Sequence, residues 1–259
     1  MKTIDAFIAA GGIPGPRDSL YAEAKGGPKT MIDVAGKPMV QWVIDALEAA
    51  PSIGRILVVG LGESSGLTSR KPLLFHPDQG GFFANVVAGI RRLSSLESTA
   101  ELGLGISGDI PGIRPEMVDW LAAEAASSSV DVQYLVVRRE VVEARFPRSG
   151  RTFLSLCDGH YSGGSANVIA LNKEIPLPRL WERLARARKN PLRMAAVIGP
   201  RILFGFLFHR LTAADVLSVF CRRFRITGRL LFSPYAELAM DIDNPHHLEI
   251  LRRHLTGGN

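Results

Sequence analysis

Through the first half of the chain, short apolar runs alternate with stretches whose apolar residues recur every three or four positions. Residues 4–10 (IDAFIAA) read as a buried strand that ends in Gly11-Gly12. Pro38 opens a helix in which Val40, Val43, Ile44 and Leu47 follow the i, i+3, i+4, i+7 spacing of one helical face. Residues 55–60 (RILVVG) predict a strand. Residues 85–96 predict a helix with Val86, Ile90 and Leu93 on one side. A strand over 102–107, a helix over 115–126 and a strand over 130–137 continue the rhythm. Strands alternating with helices predict an α/β fold with parallel pairing through right-handed crossovers. In such a sheet, ligands bind beyond the carboxyl ends of the strands.

The rhythm changes after about Arg139. Residues 167–171 predict a strand after a Gly-Gly turn. Residues 180–224 look helical and basic, interrupted by Pro191, Gly199-Pro200 and Gly205. Residues 230–232 and 238–242 read as two more strands. Asn244-Pro245 starts a last helix, because Asn caps helix N-termini and Pro suits the first turn. Leu248, Leu251 and Leu255 give that helix its apolar side, and His246 and His247 read as exposed residues of its first turn. The chain has no internal repeat and no low-complexity linker.

A length of 259 residues with 46% hydrophobic content supports a large core, and 22% charged residues excludes a globally disordered chain. The net charge of +6 is unevenly placed: residues 179–232 hold 12 Lys/Arg against 2 Asp/Glu, or +10, leaving −4 for the rest. A solvated basic face and a contact with something anionic explain this equally well. The two cysteines, Cys157 and Cys221, have no CxxC spacing, so neither a disulfide framework nor a zinc site is expected, and a reducing, cytoplasmic setting fits. The N-terminus lacks a secretion signal pattern. The apolar stretch 194–211 is broken by Pro200, Arg201, His209 and Arg210, so no spanning helix is expected. A pI of about 9.6 permits nucleic-acid binding, but no motif for it is present and none is expected.

Three constellations could carry chemistry. Ala9, Ala10, Gly11 and Gly12 follow the first strand, with Pro28-Lys29 beyond a loop. Small residues let backbone N–H groups approach a ligand, and a lysine reaches phosphate oxygens as a point charge. The glycines after this strand form neither a GxGxxG nor a Walker A motif, so neither a dinucleotide nor a P-loop site is claimed. Ser107, Gly108 and Asp109 follow a later strand, where a hard carboxylate suits Mg²⁺; an aspartate capping the turn before Pro111 would look the same. Asp241 and Asp243 stand two apart before a helix start. On a strand they would project from one face, beside a helix N-terminus that favours anions. Helix capping accounts for one acid there but not for both.

Together these segments resemble the MobA-like NTP transferases, nucleotidyltransferases with a Rossmann-like GT-A fold. AFIAAGG…GPKTMIDVAGKPMVQWVIDAL resembles the family's opening, GISGDIPGIRPEMVD its metal-aspartate segment, and MDIDNPHHLEIL its closing segment. The likeness covers residues 4–49, 102–120 and 237–255. It implies a mixed, mostly parallel sheet flanked by helices, with one transferase domain over 1–259 and residues 179–232 as a basic helical insertion or subdomain. It also implies Mg²⁺-dependent transfer of a nucleoside monophosphate from an NTP to a sugar phosphate, phosphoalcohol or cofactor phosphate, with pyrophosphate released. By the same likeness, the backbone of Ala9, Ala10, Gly11 and Gly12 holds the nucleotide, beside Ser107 and Gly108. Lys29 and Arg17 offset phosphate charge, and Asp109 with Asp241 or Asp243 holds Mg²⁺. Gly80, Gly81 and Asn85 contact the base and ribose. Gly163, Gly164 and Asn167 shape the acceptor pocket.

The glycine loop departs from the family's tight GxGxR run. It reads IPGPRDSLYAEAKGG, and Pro14 and Pro16 each remove an N–H donor. Two rival functions remain open: a GT-A glycosyltransferase using an NDP-sugar, and a non-catalytic nucleotide-binding regulatory protein. The glycosyltransferase DxD motif lies mid-chain, whereas the DxD here is Asp241–Asp243, near the end. The basic segment 179–232 is open to three roles: helices that complete the core or a homodimer, a lid over the acceptor, or a peripheral contact with an anionic membrane.

Overall fold

The computed structural model describes residues 3–96, 101–171 and 210–257. Among these, nine strands form one sheet, and two short strands form a separate ribbon. The central strand β1 (Ile4–Ala9) lies parallel to β4 (Ile53–Val59) on one side and β6 (Leu102–Ser107) on the other. Strand β5 (Leu73–His76) extends the sheet beyond β4, also in parallel. The ribbon pairs β2 (Asp33–Val34) with β3 (Lys37–Pro38).

Beyond β6 the pattern reverses. Strand β7 (Val132–Arg138) is parallel along one edge to β11 (Gly228–Ser233). Its other edge is shared by two antiparallel strands in line, β9 (Gly159–Gly163) and β10 (Ala166–Ala170); β8 (Leu154–Leu156) pairs with β9. Val136 pairs with Gly163, but Gln133 pairs with Val168, so the register slips by two residues and Gly164-Ser165 are looped out. Asn167 closes the gap: its side-chain oxygen accepts from the Leu135 N–H (3.0 Å), while the Gly164 N–H reaches the Leu135 carbonyl (2.8 Å). Bulges of this kind gather beside functional sites. Strand β10 pairs antiparallel with β6, which brings the bulge next to the carboxyl end of β6.

Alternation along β1 sorts the core into two layers. Ala6 and Ile8 face α2 (Met39–Ala49) and α4 (Pro115–Ala126), packing with Val43, Ile44, Leu47, Met117 and Leu121. Phe7 faces the other way, onto α3 (Phe82–Ser94), with Leu57, Val59, Leu93 and Ile169. Each large side chain buried in this way contributes about 1.5–3 kcal/mol. The last helix, α7 (Pro245–Leu255), seats Leu248 and Leu251 on Leu20, Ile32, Val34 and Met39, closing one end of the sheet. Three more helices, α1 (Tyr21–Ala24), α5 (Arg139–Arg145) and α6 (Ala213–Phe224), complete the described elements.

Two expectations are corrected. Residues 238–242 are not a strand: Ala236–Ala239 form a 3-10 turn with all four residues buried, and residues 240–243 continue without regular structure. A short buried apolar run has no periodicity that separates these outcomes. His247 is not exposed but 3% accessible. Of the basic stretch 179–232, residues 179–209 lie outside the described residues. The remainder forms α6 and then β11, which joins the main sheet. Cys157 and Cys221 are free, and no described helix is long and apolar enough to cross a membrane.

Candidate active site

The carboxyl ends of β1 and β6 open onto a crevice lined by residues distant in sequence. The Gly108 N–H donates to the Ala9 carbonyl (2.9 Å), so the turn holding Asp109 stays beside the glycine loop. The Ile242 N–H donates to the Asp109 carbonyl (3.0 Å), which ties the 241–243 segment to that turn through the main chain. The bulge supplies a third brace: the Ser107 N–H reaches the Ser165 carbonyl, and the Ser165 N–H reaches the Leu238 carbonyl, both at 2.8 Å.

These braces bring Asp109, Asp241 and Asp243 together, with one oxygen from each within 4.8 Å of the others. The convergence needs no strand at 241–243. The backbone bond to Asp109 does the positioning that strand alternation was expected to do. Asn244 caps α7, accepting from the His247 N–H (2.9 Å). His247 turns inward, where Nδ1 accepts the Asp243 N–H (3.3 Å) and lies 3.1 Å from the Asp241 carbonyl. Burial, and then the Arg151 charge, push its pKa down, so the ring is neutral at pH 7.

Two cations sit on the three acids. Lys29 Nζ lies 2.7 Å from Asp109 Oδ2 and 3.3 Å from Asp243 Oδ1. Lys29 is held at the crevice by its own N–H to the Gly12 carbonyl (3.0 Å), and Thr30 Oγ1 donates to the Ala10 carbonyl (2.6 Å). Burial alone would depress the ammonium, but the Asp109 carboxylate, followed by Asp243 and Asp241, holds it well above the usual lysine range. Arg151, 9% exposed, places Nη2 2.5 Å from Asp241 Oδ1, and Nη1 3.1 Å from the Asp241 carbonyl and 3.5 Å from Asp243 Oδ2. Ser107 Oγ donates to Asp109 Oδ1 (2.5 Å), and Ser165 Oγ to Asp241 Oδ1 (3.4 Å). Burial and the neighbouring Asp109 charge push the Asp241 carboxyl up to about 7, against the pull of Arg151. Asp243 moves down: burial opposes this, but the hydrogen bond from Asp241, with Lys29 and Arg151, prevails. The two carboxyls therefore titrate as a pair, with Asp241 the easier of the two to protonate.

The other wall of the crevice is a close approach of backbones. At Gly60, φ is +104°, and a Cβ there would lie 2.2 Å from the Gly11 nitrogen. A Cβ on Gly11 would lie 2.3 Å from Asp78 Oδ1 and 2.6 Å from Asn85 Nδ2. Only glycine fits at position 60, while a side chain at position 11 would have to displace the Asp78 and Asn85 side chains. Asn85 is 2% exposed; its Nδ2 donates to Asp78 Oδ1 (2.7 Å) and its Oδ1 accepts from the Gln79 N–H (2.8 Å). Ala9 and Ala10 are buried at the end of β1 and Gly12 is exposed, while Gly80 and Gly81 form the exposed turn before α3.

The remaining sequence candidates are more dispersed. Arg17 is exposed in the loop before α1. Gly163 precedes the bulge and Gly164 lies in it, and Asn167 spends its side-chain oxygen on the Leu135 N–H. Sequence reasoning missed Arg151, Ser165 and Asp78. Asp78 follows an apolar run and precedes Gly80-Gly81, a visible strand-end signal. Arg151 meets its partner across 90 residues, and nothing local announces it.

The sequence profile of the MobA-like NTP transferase domain matches residues 8–189, which takes in the glycine loop, Lys29 and Asp109. The chain belongs to the MobA-like NTP transferase family. A structure described as a hypothetical transferase from Thermus thermophilus is 30% identical, with TM-score 0.78, covering 95% of this chain and 99% of that one. More distant likenesses at 14% identity show the same Rossmann-like fold. One is a CMP:2-keto-3-deoxy-manno-octonic acid synthetase complexed with CTP (TM-score 0.57, all of both chains). Another is a 2-C-methyl-D-erythritol 4-phosphate cytidylyltransferase, also from Thermus thermophilus (TM-score 0.56, 98% of this chain and 99% of that one). No curated protein sequence matches the chain significantly. For this MobA-like transferase, Asp109, Asp241 and Asp243 fit a hard divalent cation: they offer converging carboxylate oxygens, and the local charge has already drawn two side-chain cations onto them.

Proposed function

We propose that the chain is a Mg²⁺-dependent nucleotidyltransferase that moves a nucleoside monophosphate from an NTP to a phosphorylated small molecule and releases pyrophosphate. The observation that carries this reading is the convergence of Asp109, Asp241 and Asp243 with Lys29, one residue layer from the Gly11–Gly12 crevice. Asp109 with Asp241 or Asp243 would hold Mg²⁺, which supplies Lewis-acid polarisation of the phosphate oxygens when bound. Gly11 and Gly12 give the nucleotide close access to backbone, and Asn85 and Asp78 bound the side on which base and ribose lie. Lys29 exchanges its carboxylate partners for phosphate oxygens and offsets the charge on the leaving pyrophosphate. Arg17, exposed in the loop before α1, would add to that charge neutralisation.

Phosphoryl chemistry of this kind asks for positioning and charge neutralisation rather than a covalent intermediate. An oxygen of the acceptor phosphate attacks the α-phosphorus, a new P–O–P bond forms, and the bond to the β-phosphate oxygen breaks. The attacking phosphate is already ionised at neutral pH, so no side-chain base is assigned. Gly163, Gly164 and the looped-out Ser165 flank the acceptor side. The whole chain is one transferase domain in this reading, and the end of the basic stretch, β11, belongs to its main sheet. The test is a pyrophosphate-release screen of four NTPs against phosphorylated acceptors, run beside Asp109→Ala. Release of pyrophosphate by the parent chain and a loss of at least about 1,000-fold in the variant are expected. Full metal-dependent activity in Asp109→Ala, or release of a nucleoside diphosphate from an NDP-sugar, would overturn the assignment.

A further inference from the structure

We infer that Lys29 and Arg151 are the resident counter-cations of the acid cluster, and that they exclude a free divalent cation until nucleotide phosphates draw Lys29 away. The first clause is independent of the transferase reading; the role given to nucleotide rests on it.

Three carboxylates share one site, and two permanently placed cations lie on them within hydrogen-bond range. Their charges sum to −1 when all three acids are ionised, too little to draw a hydrated Mg²⁺ out of water. The cations also occupy the oxygens a metal would need: Lys29 sits on Asp109 Oδ2 and Asp243 Oδ1, and Arg151 on Asp241 Oδ1 and Asp243 Oδ2. A divalent ion entering that space would stand a few ångströms from both positive groups, and both would repel it.

Arg151 is the more telling of the two. Its guanidinium cannot lose its proton, so its charge is always present. Its side chain is more than nine-tenths buried, yet its Nε–H is buried with no acceptor among the described residues. A guanidinium fixed purely for architecture would leave no buried donor unmet, because each one costs stability. Here the fork is committed to the carboxylates at the expense of Nε, as expected of a group standing where another cation belongs. Lys29 faces the opposite way. Its own backbone is tied to the Gly12 carbonyl, so its ammonium can swing from the acids to a phosphate in the glycine crevice without unfolding anything. A triphosphate brings about four negative charges and removes one positive charge from the acids, and only then does the balance favour a metal.

Mn²⁺ alone is the probe, titrated into the full chain at pH 8 and read by the electron paramagnetic resonance signal of the free ion. The parent chain should bind it with Kd weaker than about 0.1 mM; a tighter Kd would overturn the inference whatever the variants do. Arg151→Gln should bind Mn²⁺ at least about tenfold tighter than the parent, because one repelling charge is gone and two carboxylates are freed. Arg151→Lys, which keeps the charge, should stay within about threefold of the parent. Unchanged or weaker binding in a folded Arg151→Gln would refute the proposal. If that variant does not melt cooperatively, the parent titration decides. Adding each of four NTPs should raise the water-proton relaxation of protein-bound Mn²⁺. Silence with all four refutes the nucleotide's role, while failure of the pyrophosphate screen alone refutes the transferase reading and leaves the metal titration intact.

Discussion

Replacing Asp241 by Asn should make the metal-free protein more stable, in a way that depends on pH. In the folded chain the Asp241 carboxyl is pushed from its ordinary 3.8 up to about 7 by burial and by the Asp109 charge. The folded state therefore holds this proton more tightly than the unfolded chain does. Between pH 3.8 and about 7 the native state binds more protons, so stability falls as pH rises, and the full cost is present above pH 7. At 1.36 kcal/mol per pKa unit that cost is about 4 kcal/mol. Asp243 moves the other way, but its folded value lies below 3.8, so it titrates beneath this window. His247 and His254, both pushed down mainly by burial, add stability as pH rises through their ordinary range, so the raw pH profile mixes opposing signs. The difference between parent and Asp241→Asn isolates Asp241. An amide cannot ionise and still donates to Asp243 as the protonated acid does. Urea unfolding followed by circular dichroism in EDTA should give equal stabilities at pH 4.5, within about 1 kcal/mol, and an advantage for Asp241→Asn of up to about 4 kcal/mol at pH 8. An advantage that does not grow with pH, or a variant less stable at pH 8, would refute the reasoning.

Three other outcomes are expected. Lys29→Met should lower kcat/KM by at least about 100-fold in the pyrophosphate assay, because the charge facing the leaving group is lost while the fold is kept. Gly60→Ala should cost at least about 2 kcal/mol in a urea melt, since an L side chain at φ +104° strains the backbone and its Cβ strikes Gly11; it should also raise KM for the nucleotide. Glu237→Ala should destabilise by about 1 kcal/mol, because it removes the buried carboxylate that ties down the half-exposed Arg114 and Arg145, each 3.1 Å away, while solvent and Glu116 still serve the guanidinium groups. Thermal melts should register that loss, while KM values for the surviving folded fraction stay unchanged.

What could be read from the chain alone follows from the range of the forces involved. The elements β1, α2, β6, α4 and α7 announce themselves because one buried face imposes a period on 6 to 12 successive residues. The β8–β9 hairpin was missed although Asp158-Gly159 is a turn signal; its strands mix Ser, His and Gly with too few apolar residues to show alternation. β5 escaped notice because it is only four residues long and closes on Pro77. The buried turn Ala236–Ala239 imitates a strand because apolar runs that short carry no phase. In the candidate site, Asp109, Asp241, Asp243 and Lys29 were legible from their strand-end, helix-start and Pro-Lys settings only when these were read together as a family resemblance. Arg151 and Ser165 were not, because the contacts that matter to them are with a segment about 76 to 90 residues away. The reversal of β10 was equally hidden: its direction is fixed by the continuation from β9 through the two-residue bulge, not by its own composition.

The main-chain bond from Ile242 to Asp109 has a consequence for how this centre can change over evolutionary time. It fixes the gap between the two acid-bearing segments with main-chain atoms that every residue type but proline carries, so substituting either side chain by another leaves the framework standing. The reach of each acid then becomes the one adjustable dimension. Lengthening any of the three by a methylene, aspartate to glutamate, would push its oxygens past a meeting point that the backbone no longer has freedom to relocate.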